Sequence, residues 1–226
     1  MALNDQSTRI RDGEELDAAI IDSYLKAHIP GLSGEPQISQ FPGGASNLTY
    51  LLEYPQQEFV LRRPPFGHKA KSAHDMGREY RILNQLNAGF PYCPKAYVHC
   101  TDESVIGSEF YVMERVNGII LRADLPAELN FSPEQTTQLC KSFIDKLVEL
   151  HNVDYQACGL GDLGKPEGYV ARQISGWSDR YEKALTPDAP LWTEVKAWLN
   201  EKMPADHPKS AIVHNDYRFD NVILDP

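Results

Sequence analysis

The chain has 226 residues, of which 42% are hydrophobic and 24% are charged, and it carries a formal net charge of −10 at pH 7. These proportions are typical of a soluble globular protein and exclude the disordered and fibrous classes. The net acidity argues against nucleic acid and against an anionic membrane surface as the main partner, because both need a clustered positive field, and it weakly favours a cationic ligand.

Cysteine spacing and the apolar runs indicate the compartment. The four cysteines lack C-x-x-C spacing, which favours free thiols over a disulfide framework or a zinc site. The N-terminus has no basic start followed by an apolar stretch, and no apolar run is long enough to span a bilayer. We therefore expect a soluble, cytoplasmic protein without a membrane partner.

The first elements of the chain are a helix and three strands. Helical spacing of apolar residues extends from Glu14 to Ile29, where Pro30 and Gly31 end it. Three short runs with strand character follow, and the short turns between them predict an antiparallel meander. The predicted strands are Gln37–Phe41, Leu48–Tyr54 and Glu58–Arg63.

The turn between the first two predicted strands is rich in small residues. It contains Gly43, Gly44, Ser46 and Asn47. Glycines let backbone N–H groups approach an anion, and the serine and asparagine side chains add donors, so the turn is able to cover phosphates. A plain β-hairpin turn is the competing interpretation, and the absence of G-x-x-x-x-G-K-[ST] argues against a P-loop.

Two charged side chains follow this turn at informative positions. Arg62 lies late in the third strand, and we expect its neighbour Arg63, on the opposite face by strand alternation, to face solvent. An apolar stripe predicts a helix from Ser72 to Ala88. Glu79 lies on that helix, where an exposed charge flanked by two arginines is the simplest interpretation.

After two more strands the chain becomes helical. Ser132 is a predicted N-cap, with proline at the first helical position. Tryptophans lie on the apolar faces of the last two helices, at positions 177, 192 and 198, and we expect them in the core. The predicted strands are Lys95–Cys100 and Glu109–Arg115, and the predicted helices are Pro133–His151, about 167 to 185 and about 189 to 203.

The last stretch concentrates polar side chains between two short apolar runs. Ile212–Val213 and Val222–Leu224 flank the octet His214-Asn215-Asp216-Tyr217-Arg218-Phe219-Asp220-Asn221, which predicts a strand, a tight loop and a second strand. Asp216 and Asn221 are able to direct a carboxylate and an amide oxygen toward one point, a combination suited to a hydroxyl proton and a hard cation. A simple Asn-Asp turn with a packed histidine is the competing interpretation.

The octet resembles the H-G-D-x-x-x-x-N catalytic loop of the aminoglycoside phosphotransferase (APH) and choline kinase-like family, which is similar to the H-R-D-x-x-x-x-N loop of protein kinases. Asn215 occupies the usual glycine position and shares the tolerance of glycine for left-handed backbone angles. A Y-x-x-R-Q-x-x-x-W pattern resembles the branch of this family that is fused to acyl-CoA dehydrogenase domains. That pattern is formed by Tyr169, Arg172, Gln173 and Trp177.

The resemblance extends from about Ile38 to Asn221 and implies an α+β, protein-kinase-like fold of two lobes. We expect an N-terminal helix in residues 1–33, a lobe with an antiparallel sheet in 34–117 and a mostly helical lobe in 118–226. In the family a second metal-binding aspartate and further helices follow the catalytic loop. We therefore expect this chain to be truncated at its C-terminus, with an incomplete helical lobe.

The activity that the resemblance implies is transfer of the γ-phosphoryl group of ATP, or alternatively GTP, to a hydroxyl of a small molecule. Asp216 would accept or orient the hydroxyl proton, and Asn221 would hold Mg²⁺. Arg62, in the place of the V-A-I-K lysine of kinases, would pair with Glu79 and steady the phosphates.

The resemblance implies further nucleotide contacts from the small-residue turn and from the backbone of the expected hinge. The small-residue turn would cover the phosphates, and the backbone of Glu114 and Val116, in the expected hinge, would bond the purine. A nucleotide-binding or regulatory module without turnover is the alternative function, because arginine replaces lysine and the second metal ligand is absent. The acceptor and the oligomeric state stay open, since the net acidity slightly favours a cationic acceptor whereas the dehydrogenase-linked branch favours hydroxylated acyl compounds.

Overall fold

A five-stranded antiparallel sheet dominates the computed structural model, which describes residues 6–42, 47–66, 75–122 and 124–225. The strands are β1 Gln37–Gln40, β2 Leu48–Glu53, β3 Glu58–Arg63, β4 Ala96–Cys100 and β5 Phe110–Glu114. Their spatial order is β1-β2-β3-β5-β4, and every neighbouring pair is antiparallel. The five strands predicted between Gln37 and Arg115 are thus confirmed, each within about one residue of its expected ends, which is the usual uncertainty of an element boundary.

The α-helices in the described ranges lie inside their predicted spans. They are α1 Ala18–His28, α2 Met76–Leu86, α3 Pro133–His151, α4 Tyr169–Lys183 and α5 Thr193–Glu201. The Asp17 side chain accepts hydrogen bonds from two N–H groups of the first turn of α1, so the helix begins later than the apolar pattern. Ser132 and Gln135 form a capping box at α3. None of the helices described is long and apolar enough to cross a membrane.

The main core lies between α1 and one face of the sheet. Ile21 and Leu25 of α1 are fully buried against alternate residues of the strands. The strand side chains in this core are Leu48, Tyr50, Leu52, Phe59, Leu61, Val98, Cys100, Phe110 and Val112. Side chains alternate between the two faces of a strand, so the residues between these core positions point to the opposite face of the sheet. Arg62 of β3 and Glu79 of α2 meet on that face.

Arg63 lies on the face covered by α1, and the expectation that it faces solvent is wrong. Only 2% of its surface is exposed. The guanidinium donates to the Ile106 carbonyl oxygen (3.0 Å) and lies 3.8 Å from the centre of the Phe66 ring. Burial lowers the pKa of this group, while the charge of Glu14 opposes that effect. Strand alternation correctly separates Arg62 from Arg63, but it does not reveal which faces of a sheet are covered.

Helix α2 connects the sheet to the helical part of the chain. It packs on β4 and β5, and Leu86 in its last turn contributes to a second core with Leu150 and Leu160. Arg81 donates to the Gly159 carbonyl oxygen (2.9 Å) and pairs with the carboxylate of Asp162. Apolar and charged contacts therefore both hold α2 against the helical lobe.

Trp177 in α4, Trp198 in α5 and Trp192 directly before α5 are exposed, so the expectation that they belong to the core is wrong. Trp177, Trp192 and Trp198 expose 63%, 55% and 58% of their surface. Leu191 and Leu199 beside them are also exposed. Helical spacing determines which side of a helix carries the apolar residues, whereas burial depends on what packs against that side.

The strand pair predicted around the octet is not formed in the described residues up to position 225. Ile212–Val213 is not a strand, and Phe219–Asn221 forms a short 3₁₀ helix. Leu224 makes one isolated antiparallel bridge with Ile119. A β-branched run becomes a strand only where a second backbone offers hydrogen bonds, and in this segment only Leu224 meets such a backbone.

Gly176 lies inside α4, and its replacement by alanine is expected to stabilise the protein by about 0.5–1 kcal/mol. A Cβ at this position meets no atom within 4 Å, so only the loss of backbone freedom in the unfolded state matters. Urea unfolding measures the change. Gly89→Ala is the control with the opposite sign, because a Cβ there would lie 2.7 Å from the Cys158 sulfur. A lower free energy of unfolding for Gly176→Ala would contradict the prediction.

Candidate active site

Asp216 and Asn221 lie side by side in the closing loop. The side-chain nitrogen of Asn221 donates to Asp216 Oδ2 (2.7 Å) and to the Asp216 backbone oxygen (2.9 Å). The 3₁₀ turn brings Asn221 back toward Asp216, and Asn215 adopts the left-handed conformation, with φ of 65°, at the start of the loop. Because the nitrogen of Asn221 is engaged, its oxygen is the atom that it presents to a cation.

Arg218 lies between two carboxylates of the same loop. It donates to Asp220 (2.6 Å) and its Nε lies 3.6 Å from Asp216 Oδ1. The side chain of Asp216 is 65% exposed, whereas that of Asp220 is 27% exposed. Asp216 is therefore open to an incoming molecule, and Asp220 is held by the arginine.

An aromatic contact holds the loop against α3. Tyr217 donates its hydroxyl to the Phe143 carbonyl oxygen (2.7 Å). The rings of Tyr217 and Phe219 each stack on Phe143, with centroids 4.2 Å apart, and His214 meets Tyr217 edge-on at 5.5 Å. Phe143 is not among the residues predicted from the sequence, although two aromatic residues within the octet indicate that the loop needs an apolar support.

Arg62 and Glu79 approach each other on the sheet face opposite α1. Arg62 Nη1 lies 3.6 Å from Glu79 Oε2. Glu79 Oε2 also accepts a hydrogen bond from the Tyr111 hydroxyl (2.9 Å), and Oε1 accepts one from the Asn47 amide (3.1 Å). Asn47 is buried, and its amide is directed at Glu79. The other residues predicted in the small-residue turn lie outside the described ranges, namely Gly43, Gly44 and Ser46.

A small apolar cluster lies on the same sheet face as Arg62. It consists of Phe41, Leu51 and Val60, with Met113 packed against them. Val60 precedes Arg62 by two residues, and Leu51 and Met113 are its partners on the neighbouring strands. This cluster is not among the features predicted from the sequence, although the spacing of Val60 and Arg62 predicts that they share a face. An apolar surface therefore lies beside the charged pair.

Glu114 ends β5, and Val116 lies in the stretch that follows. The Glu114 N–H donates to the Lys95 carbonyl oxygen (2.8 Å), and its carboxylate accepts from the Lys95 N–H (3.1 Å). Since its N–H is engaged within the sheet, Glu114 would bond a ligand through its carbonyl oxygen.

The stretch after β5 contacts the segment that follows the octet. Ile119 and Leu224 exchange two backbone hydrogen bonds, of 2.9 and 2.8 Å. A Cβ on Gly118 would lie 2.3 Å from the Leu224 carbonyl oxygen and 2.6 Å from Ile223 Cγ2, so this approach requires glycine. These contacts join the stretch after β5 to the loop that carries Asn221.

The loop residues fit a Mg²⁺ ion that takes further ligands from phosphates. No group of three or more His, Cys, Asp or Glu suited to a metal lies among the residues that the structure describes. Asp216 and Asn221 offer a carboxylate and an amide oxygen, and Mg²⁺ in phosphate-handling sites is held by one or two such protein oxygens with substrate phosphates and water.

An antiparallel sheet with a cation–acid pair, joined to a helical part that presents an Asp and Asn loop, defines a protein-kinase-like phosphotransferase. The phosphotransferase enzyme family APH matches residues 37–226. This chain belongs to that family.

Relatives that share about a third of their residues with this chain are longer proteins. Acyl-CoA dehydrogenase family member 11 of Gallus gallus is 36% identical over 232 residues, which cover 100% of this chain and 29% of the relative. The Homo sapiens protein of the same name is 34% identical, covering 94% of this chain and 27% of its own length. The chain therefore spans less than a third of these relatives.

Solved structures agree with the fold. A protein from Ralstonia eutropha JMP134, described as an aminoglycoside phosphotransferase, has a TM-score of 0.81 at 35% identity and covers 94% of this chain and 61% of its own. Choline kinase from Cryptosporidium parvum Iowa II has a TM-score of 0.52 at 15% identity, covering 82% of this chain and 49% of its own, and shares the fold alone.

Proposed function

We propose that this phosphotransferase moves the γ-phosphoryl group of ATP to a hydroxyl of a small molecule. The observation that carries the proposal is the placement of Asn221 beside an exposed Asp216, with the nitrogen of Asn221 turned toward the aspartate. An acceptor hydroxyl needs a proton acceptor, and the charge of the transferring group needs a cation. One loop supplies a group for each task.

In the reaction Asp216 accepts the proton of the acceptor hydroxyl as its oxygen bonds to the γ-phosphorus. The bond from that phosphorus to the bridging oxygen breaks, and ADP leaves with the bond electrons. Bound Mg²⁺ would neutralise charge on the phosphate oxygens. Asn221 would hold this ion through its side-chain oxygen, and Arg218 pairs with Asp220 in the same loop.

The nucleotide would lie along the sheet face that carries Arg62. The apolar cluster around Val60 offers a surface for the purine, and Arg62 lies two residues along the strand, on the side of the phosphates. The Val116 N–H and the Glu114 carbonyl would bond the purine edge. The residues that would cover the phosphates are Gly43, Gly44 and Ser46, whereas Asn47 supports Glu79.

A nucleotide-binding module without turnover is the second candidate. It is favoured by arginine at position 62, where the kinase tetrapeptide that this strand resembles has lysine. A guanidinium is able to fork onto two phosphates, but its geometry differs from that of a lysine ammonium. Such a module would bind nucleotide and release no ADP.

A thermal shift experiment tests nucleotide binding by this chain. We expect ATP with Mg²⁺ to raise Tm, because ligand at a hundred times Kd adds about 2.7 kcal/mol to the free energy of unfolding. GTP in place of ATP, and ATP without Mg²⁺, are the comparisons that identify the donor and the cation. If neither nucleotide raises Tm, the proposed nucleotide site is wrong.

Turnover separates the enzyme from the module. The named relatives are acyl-CoA dehydrogenase family members, so hydroxylated acyl compounds are the first acceptors to test, and amino alcohols are the second because of the net charge of −10. Mass spectrometry of a phosphorylated acceptor, with ADP formed in equal amount, supports the enzyme. Nucleotide binding without ADP release in the whole acceptor panel supports the module.

A further inference from the structure

Tyr111 is a buried residue that contacts the charged pair directly. It stands opposite Arg62 in the β3–β5 register, so both side chains lie on the same sheet face. Its hydroxyl donates to Glu79 Oε2 at 2.9 Å, and the same oxygen is 3.6 Å from Arg62 Nη1. The carboxylate oxygen that faces the arginine is therefore the one held by the phenol.

Burial distinguishes the three partners. Tyr111 exposes 1% of its surface, whereas the side chains of Arg62 and Glu79 are 32% and 33% exposed. A partly exposed ion pair at 3.6 Å fixes the orientation of its two groups only weakly, because water competes for both charges. A hydrogen bond from a fixed phenol to a carboxylate is shorter and more directional.

We propose that Tyr111 is a positioning residue of the nucleotide site, whose hydroxyl orients the Glu79 carboxylate so that Arg62 is directed toward the phosphates. This inference rests on the proposed function. It gives a side chain of β5 a role in phosphate binding, whereas the backbone of Glu114 and Val116 is proposed to bond only the purine. In this proposal Tyr111 acts through Glu79 and Arg62 and makes no contact of its own with nucleotide or acceptor.

The protonation state of Tyr111 suits this role. Burial raises the pKa of the Tyr111 phenol well above its usual range. The charge of Arg62 opposes this rise, and the nearby Glu79 carboxylate adds to it. The group therefore remains an O–H donor throughout the pH range in which the protein would work. Asn47, which binds the other oxygen of Glu79, prevents rotation of the carboxylate.

Tyr111→Phe tests the proposal because it removes one oxygen and keeps the ring. We expect KM for ATP to rise about three- to tenfold with kcat nearly unchanged, since the hydroxyl acts on ground-state phosphate binding through Arg62. Tyr50→Phe is the matched control. Tyr50 is buried on the opposite sheet face and donates its hydroxyl to the Glu14 carbonyl oxygen (2.8 Å). Both variants should lose similar stability, but only Tyr111→Phe should change KM.

A double-mutant cycle with Glu79→Ala, which removes both acceptor oxygens, identifies the route of the effect. If Tyr111 acts through Glu79, then Tyr111→Phe should raise KM for ATP no further in the Glu79→Ala background. An unchanged KM in Tyr111→Phe, an equal rise in Tyr50→Phe, or fully additive effects in the cycle would each overturn the proposal. A wild-type chain without affinity for ATP would instead remove the proposed function, and this inference with it.

Discussion

We expect Asp216→Asn to lower kcat for phosphoryl transfer by about 10²–10⁴-fold, the range attributed to a positioned general base. An asparagine in this place keeps the shape of the side chain and can still accept the hydrogen bond from Asn221, so the loop should retain its geometry. KM for ATP should change little, because in the proposed site Asp216 serves the acceptor hydroxyl and Asn221 serves the cation. Steady-state kinetics with an identified acceptor measures both constants.

Asp145→Asn is the matched control for this experiment. Asp145 is an exposed carboxylate on α3 that pairs with Lys141 at 2.7 Å, outside the closing loop. Its loss removes the same charge from the protein without touching the site, so kcat should stay at the wild-type value. A kcat within tenfold of wild type for Asp216→Asn, with the fold intact by circular dichroism, would show that Asp216 is not the proton acceptor.

Among the glycines that the structure describes, Gly118 is the one where an added methyl group should have the largest structural effect. The added Cβ would lie 2.3 Å from the Leu224 carbonyl oxygen, so the stretch after β5 and the segment after the octet must separate. Overpacking of this kind costs about 1–3 kcal/mol of stability. We also expect a lower kcat, because the backbone bridge between Ile119 and Leu224 sets the position of the loop that carries Asn221.

Gly164→Ala is the control for the effect of glycine replacement in general. A Cβ at Gly164 meets no atom within 4 Å, so its stability and kcat should remain near those of wild type. Urea unfolding and ATP-dependent kinetics of the two variants provide the comparison. A Gly118→Ala chain as stable and as active as wild type would mean that the two segments are not held together in solution.

Local patterns predicted the elements of the sheet because each strand has its own turn residues and its own alternation. Both ends of β3 were predicted correctly, and its C-terminal end is marked by the proline pair that follows it directly. The flanks of the octet were not predicted correctly, because Ile212 and Val213 have the composition of a strand but no strand partner in the described residues. A pattern describes the propensity of a segment, whereas a strand requires a second backbone.

The same difference between what a local pattern predicts and what tertiary contacts decide applies to the side chains of the site. The sequence identified Arg62 and Glu79 through the order of elements that resembles a kinase-like fold, and the structure brings them within 3.6 Å. It did not identify Tyr111, because this residue lies 32 positions from Glu79 along the chain and meets it only through strand register and helix packing. Phe143, which supports Tyr217 across 74 positions, was missed for the same reason.

The sequence by itself determined the order of the elements, the family and the residues of the octet, since these depend on composition and spacing within short segments. Only the tertiary structure decided that Arg63 is buried, that the three tryptophans are exposed, and that a phenol holds Glu79. Burial and side-chain contact depend on which surfaces meet. That is a property of packing between segments distant in sequence, and no local pattern encodes it.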